Sequence, residues 1–154
     1  MRSILKFILS TLLIVFCTNQ PFAQPYTTQG DVPAEGGFRL VSLVEGLEHP
    51  WSMAWLPNSD ILVTERPGRL RLVRDGRLIA DPVSGVPEVF ASGQGGLLDI
   101  SLHPRFNQTH KLYFTYAHGT AQANRTRVAT AVLNRNVLDN WQVIFEVTTV
   151  KPGS

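Results

Sequence analysis

Trp51-Ser52-Met53-Ala54-Trp55-Leu56-Pro57 and Leu98-Asp99-Ile100-Ser101-Leu102-His103-Pro104 decide the fold, because the second stretch repeats the first 47 residues further along. Both alternate along their length and both end in proline. Period-two alternation is the pattern of a strand, whose successive side chains point to opposite faces. After each proline comes a turn and then a second β-rich run, Ile61 to Thr64 in the first copy and Lys111 to Ala117 in the second.

Working outward, the turn signals fall at close intervals. Pro57-Asn58-Ser59-Asp60 precedes Ile61, Pro67-Gly68 precedes Arg69, and Asp75-Gly76 separates Leu70-Arg71-Leu72-Val73 from Leu78-Ile79. An Asp-Gly pair between two apolar runs predicts a hairpin, since both turn positions require positive φ. In the second copy, Leu97 to His103, Lys111 to Ala117, Arg127 to Asn134 and Trp141 to Val147 are the strand candidates. No sustained helical stripe occurs between Phe38 and Val147. Four strands per unit at a spacing of roughly 40 to 50 residues is the plan of β-propeller blades, each of which buries its faces only against its neighbours. The expected fold class is all-β, with two four-stranded blades at about 51–80 and 97–148. Rings of this kind typically hold 4 to 8 blades, so two are expected to need further blades or a partner.

The first 23 residues read as a secretory signal peptide: Arg2 and Lys6 precede the apolar run from Phe7 to Cys17, and Ala23 supplies a small residue for cleavage. At roughly 11 residues the run is too short to span a bilayer as a helix, so export to the periplasm or medium is expected, without a membrane anchor. Lipidation at Cys17 is the rival, but Ile14-Val15-Phe16 offers no small residue just before it. Residues 24–37, rich in Pro, Gly, Thr and Gln, read as a flexible arm, and the folded domain is expected over 38–154. Cys17 is the single cysteine of the 154 residues. Cleavage after Ala23 would leave none, which excludes disulfides, thiol catalysis and cysteine-ligated metals. Of 14 basic and 12 acidic residues, Arg2 and Lys6 lie in the leader. The near-neutral remainder gives no electrostatic reason to propose nucleic acid as a partner.

Four motifs then stand in order: Gly46-Leu47-Glu48-His49-Pro50-Trp51, Leu62-Val63-Thr64-Glu65-Arg66-Pro67-Gly68-Arg69-Leu70, Gly93-Gln94-Gly95-Gly96-Leu97-Leu98-Asp99 and Leu102-His103-Pro104. From about Leu43 to Tyr116, and more loosely to Val147, the chain resembles the opening of the soluble PQQ-dependent aldose sugar dehydrogenases of the glucose/sorbosone dehydrogenase family. The resemblance implies a six-bladed propeller, with pyrroloquinoline quinone (PQQ) and calcium at its central mouth. It also implies oxidation of the anomeric hydroxyl of an aldose to a lactone, with an external electron acceptor. In that family a histidine is the general base; it begins a short motif just after the strand that Trp141 to Val147 would form, and no matching histidine stands before Ser154. The residues that hold PQQ and calcium lie further along still. No catalytic, cofactor or metal residue is therefore expected in this chain, and it is expected to be inactive alone. One position carries over: the glutamine that faces the sugar is here Gln94, whose amide can donate to one hydroxyl and accept from another.

The remaining candidates have plainer readings. The Gly93 to Gly96 run has neither the spacing nor the following helix and lysine of a phosphate loop. His49 and His103 each sit at a strand boundary, where turn roles are expected, and His110 and His118 are expected in polar turns. Asp99 is expected as a structural hydrogen-bonding carboxylate on a strand. Arg69 and Arg71, alternating with Leu70 and Leu72 among Arg66, Arg74 and Arg77, read as one solvated strand face. Trp51, Trp55 and Trp141 are expected in the core between blades rather than stacked on sugar. The sequons at Asn107 and Asn124 are short enough to arise by chance. Two other functions fit a propeller: a non-catalytic exported module that binds a carbohydrate or protein, and a calcium-dependent lactonase, for which no inward ring of carboxylates is visible.

Overall fold

The computed structural model of the protein describes residues 41–151. The signal peptide expected at 1–23 and the arm at 24–37 lie outside them. Strands β1 (Pro50–Trp55), β2 (Ile61–Glu65), β3 (Arg69–Arg74) and β4 (Arg77–Leu78) form one antiparallel sheet in chain order. Strands β5 (Leu97–Leu102), β6 (Lys111–Gly119), β7 (Asn124–Asn134) and β8 (Val137–Glu146) form a second sheet of the same plan. A single helical turn, α1 (Phe106–Thr109), lies between β5 and β6. These are the two blades expected at 51–80 and 97–148.

The turns follow from local chemistry. Asp75 and Gly76, at φ 50° and 70°, close the β3–β4 hairpin with Arg74 opposite Arg77. Between β1 and β2, the Asp60 N–H donates to Asn58 Oδ1 at 3.2 Å, and Leu56 N–H donates to the Asp60 carbonyl at 2.8 Å. Strands β7 and β8 begin earlier than expected. Asn124 is buried and pairs with Gly119, while Asn134 pairs with Val137 across Arg135 at φ 56°.

Ala54, Leu62 and Leu72 stand opposite one another on one face of the first sheet. With Leu56, Leu70 and Val83 they share a core with Leu97, Ile100, Leu112, Phe114, Ala129 and Ala131 of the second. Burying each large side chain contributes about 1.5–3 kcal/mol, so the two blades hold each other chiefly through this shared face. Trp141 packs into it as expected, stacked on Phe114 at 4.8 Å and edge-on to Tyr116 at 5.6 Å. Trp51 and Trp55 do not, being 47% and 55% exposed. Period two sends Met53 and Trp55 to the face opposite Ala54 and Leu62, and neither of the two described sheets packs there.

The solvated-face reading of Arg69 and Arg71 is also corrected. Glu65 is fully buried directly across from Arg69, whose Nε donates to Glu65 Oε2 at 2.6 Å. Arg71, its side chain only 12% exposed, lies 3.6 Å from the same carboxylate. A buried carboxylate requires cations and donors about it, and Glu65 also accepts the Glu48 N–H at 2.5 Å.

Candidate functional site at the entry to the first strands

Because both sheets are meanders, β1 and β5 begin at the same end as the β2–β3 and β6–β7 links. Several backbone ties hold that end together. His49, at φ 47°, turns the chain into β1, and its carbonyl accepts the Arg66 N–H at 3.0 Å. The Arg66 carbonyl accepts the Leu97 N–H at 3.0 Å, and the Arg66 guanidinium donates to the Gly93 carbonyl. Gly95 N–H donates back to Ser92 at 2.7 Å, closing the Gly93–Gly96 loop. That loop is a tight turn, with Gly93 at φ 51° and Gly96 at φ 145°. Gly96 is needed at its end, since a Cβ there would stand 2.1 Å from the Arg66 carbonyl oxygen at φ 145°.

The outcome is a shallow pocket of about 300 Å³ lined by His49, Pro50, Trp51, Arg66 and Gln94. Gln94, exposed on its loop, stands beside His49, Pro50, Trp51 and Arg66, four residues that carried no sugar-binding expectation. A signal for the grouping was available in the sequence, since Gly46 to Trp51 and Gly93 to Leu98 are themselves 47 residues apart. Both motifs therefore lead into the first strand of a blade, at the same end. Beside the pocket, Arg69 donates to Glu48 and holds its carboxyl below the usual carboxylate range. Glu48 lies 3.9 Å from His49 Nδ1.

The other candidates fall elsewhere. Asp99 lies exposed on β5, where its carboxylate accepts from Ser52 Oγ, its counterpart in the first blade. Thr64 Oγ1 donates to the Leu98 carbonyl at 2.6 Å, so Ser52 ties β1 to β5 through Asp99 and Thr64 ties β2 to β5. His103 accepts the Arg105 N–H at 3.0 Å and stacks on Tyr113, and His110 caps α1 in the left-handed region. His118 is on β6 rather than in a turn. A pocket of about 420 Å³ opens at the opposite end, but its charged lining includes Asp60 and Arg74, which are paired at 2.7 Å. Its size alone gives it no chemistry. Among the described residues no three His, Cys, Asp or Glu side chains come together to hold a metal.

Over residues 47–154 the sequence matches the family model described as Glucose / Sorbosone dehydrogenase. The chain belongs to the glucose/sorbosone dehydrogenase family. It is 55% identical over 144 residues to the uncharacterized protein slr1608 of Synechocystis, covering 88% of this chain and 35% of that protein. With the aldose sugar dehydrogenase YliI of Escherichia coli it shares 46% over 109 residues, covering 70% of this chain and 29% of that enzyme. The fold matches a crystal structure of a glucose dehydrogenase at TM-score 0.67 and 40% identity, over 71% of this chain and 33% of that one. It also matches the PQQ-bound aldose sugar dehydrogenase of Streptomyces coelicolor at TM-score 0.61 and 28% identity, over 70% and 33% of the two chains. The chain thus spans about a third of the length of these relatives, and its two sheets are two blades of the family's propeller.

The described residues do not by themselves fit PQQ or calcium. PQQ carries three carboxylates, whereas the one cation lining this pocket, Arg66, is turned onto the Gly93 carbonyl. No carboxylate cluster is present among the described residues for calcium.

Proposed function

We propose that this chain contributes the first two blades of an exported PQQ-dependent dehydrogenase that oxidises the anomeric hydroxyl of aldoses to lactones. In that complete enzyme PQQ would take up the two electrons, calcium would act as a Lewis acid beside it, and an external acceptor would reoxidise the quinone. The observation that carries the reading is the family match over residues 47–154. The oxidation removes two electrons from the sugar. The groups that hold PQQ, and the base that takes the hydroxyl proton, are assigned to the part of the relatives that this chain does not span. Within this chain the share is positioning: the Gln94 amide, exposed at the entry to β5, donates to one sugar hydroxyl and accepts from a neighbour.

The test is aldose-dependent reduction of a dye by the complete protein loaded with PQQ and calcium. Turnover is expected with the wild type, and Gln94→Ala is expected to raise KM by roughly tenfold, the worth of one or two hydrogen bonds. No turnover with any aldose would discard the dehydrogenase reading; sugar binding without oxidation would favour the exported binding module. Unchanged sugar kinetics in Gln94→Ala would remove Gln94 from the site.

A further inference from the structure

We propose that Trp51 is the stacking wall of a sugar subsite whose polar half is Gln94, so that the pocket at the entry to the first strands takes the carbon–hydrogen face of a pyranose ring. The proposal rests on the aldose reading above and adds to it a residue that sets the ring's position.

Three observations carry it. The first is the backbone. Pro50 pairs with Glu65 and Ser52 with Thr64, which leaves Trp51 as the extra residue of a β-bulge. A bulge breaks the alternation locally and re-aims the side chain it carries. The same device recurs one repeat later: Leu97 pairs with Tyr116 and Ile100 with Phe114, with Leu98 and Asp99 between them. Both first strands are thus kinked at their entry, but the position of Trp51 is filled by Leu98 in the second blade, so an aromatic wall is built in one blade only.

The second is exposure. Trp51 is 47% exposed and lines the same pocket as Gln94, His49 and Arg66. Trp55, on the same strand and 55% exposed, lines none of the pockets described and pairs with Ile61 at the opposite end. The third is rigidity. The His49–Arg66 and Arg66–Leu97 backbone bonds, both 3.0 Å, fix the strand entry relative to the loop that carries Gln94.

The chemistry is complementary. A pyranose offers weakly positive C–H groups on one face and hydroxyls at its rim. An indole face is electron-rich and apolar, and an amide beside it can bridge two neighbouring hydroxyls. His49, Arg66 and Gln94 give the pocket a polar rim around the indole.

The test uses the complete protein and glucose as the probe. Trp51→Ala, Trp51→Phe and, as a control, Trp55→Phe are compared in steady-state kinetics and in glucose titrations followed by indole fluorescence. Loss of ground-state and transition-state stacking in equal measure raises KM and leaves kcat. Trp51→Ala is accordingly expected to raise KM about five- to tenfold with kcat within about twofold, while Trp51→Phe stays near the wild type and Trp55→Phe leaves KM unchanged. The glucose-dependent fluorescence change should vanish in Trp51→Phe and persist in Trp55→Phe. An active wild type with unchanged KM in Trp51→Ala overturns the subsite, as does a fall in kcat alone with KM held. If the wild type oxidises no aldose, the dehydrogenase reading fails separately. The subsite is then decided by fluorescence, and no Trp51-dependent change on adding glucose overturns it.

Discussion

Asp60 and Glu65 are the buried carboxylates among the described residues, and each is answered by arginine. Arg74 donates to Asp60 from Nε and Nη2, and this hydrogen bonding holds the Asp60 carboxyl below its usual range. A carboxyl whose pKa falls on folding adds stability above its unfolded value and loses it as the pH drops through the lowered folded value. Asp60→Asn is therefore expected to lower the denaturant midpoint of the complete protein at pH 7, with the gap to wild type closing below about pH 4. A gap that stays constant from neutral to acid pH would show the pair contributes nothing. Glu65→Gln leaves Arg71, its side chain only 12% exposed, facing a neutral amide while Arg69 keeps Glu48, and a loss of about 2 kcal/mol is expected from urea unfolding, the scale of hydrogen bonding to a buried charged group. A loss below about 1 kcal/mol, the scale of an exposed pair, would mean that solvent reaches the site. Neither pair was legible in the sequence. Arg69 and Arg71 alternate with leucines in either case, and only the cross-strand register puts Glu65 beneath them.

At the scale of elements, turns with a conformational requirement could be read directly and turns without one could not. Asp75-Gly76 announces positive φ at both positions. Asn134-Arg135-Asn136 does not, because Arg135 adopts φ 56° with no glycine to mark it, and β8 was placed four residues late as a result. The bulges were equally hidden, since strict alternation hides an extra residue. Gly96 joins two elements: its missing Cβ lets the entry to β5 lie against the carbonyl of Arg66. Gly96→Ala is expected to cost about 2 kcal/mol or more, from left-handed strain and the backbone clash. It should also raise KM for aldose, since the displaced loop carries Gln94 and stands beside Trp51. Thermal melting and steady-state kinetics of the complete protein check both, and a wild-type melting temperature would show that the loop gives way freely.

At the scale of the whole molecule, one apolar face of each sheet is spent on the other and its opposite face is left open. Met53 and Trp55 are 57% and 55% exposed on one side, and Ile144 and Phe145 are 52% and 59% exposed on the second blade. Two blades alone should therefore behave as an under-packed pair. Purified 24–154 is expected to bind a hydrophobic dye and to melt without a cooperative transition, and a sharp two-state melt of the monomer would overturn this. What the sequence determined by itself was the repeat, the strand type and the family, because period-two alternation and turn chemistry are local and a 47-residue offset shows without any contact. Only the tertiary structure decided which arginines pair with buried carboxylates, where the bulges fall and that Trp51 shares a pocket with Gln94. Those depend on register between strands, and shifting one strand by a single residue would exchange its two faces without altering the pattern read along it.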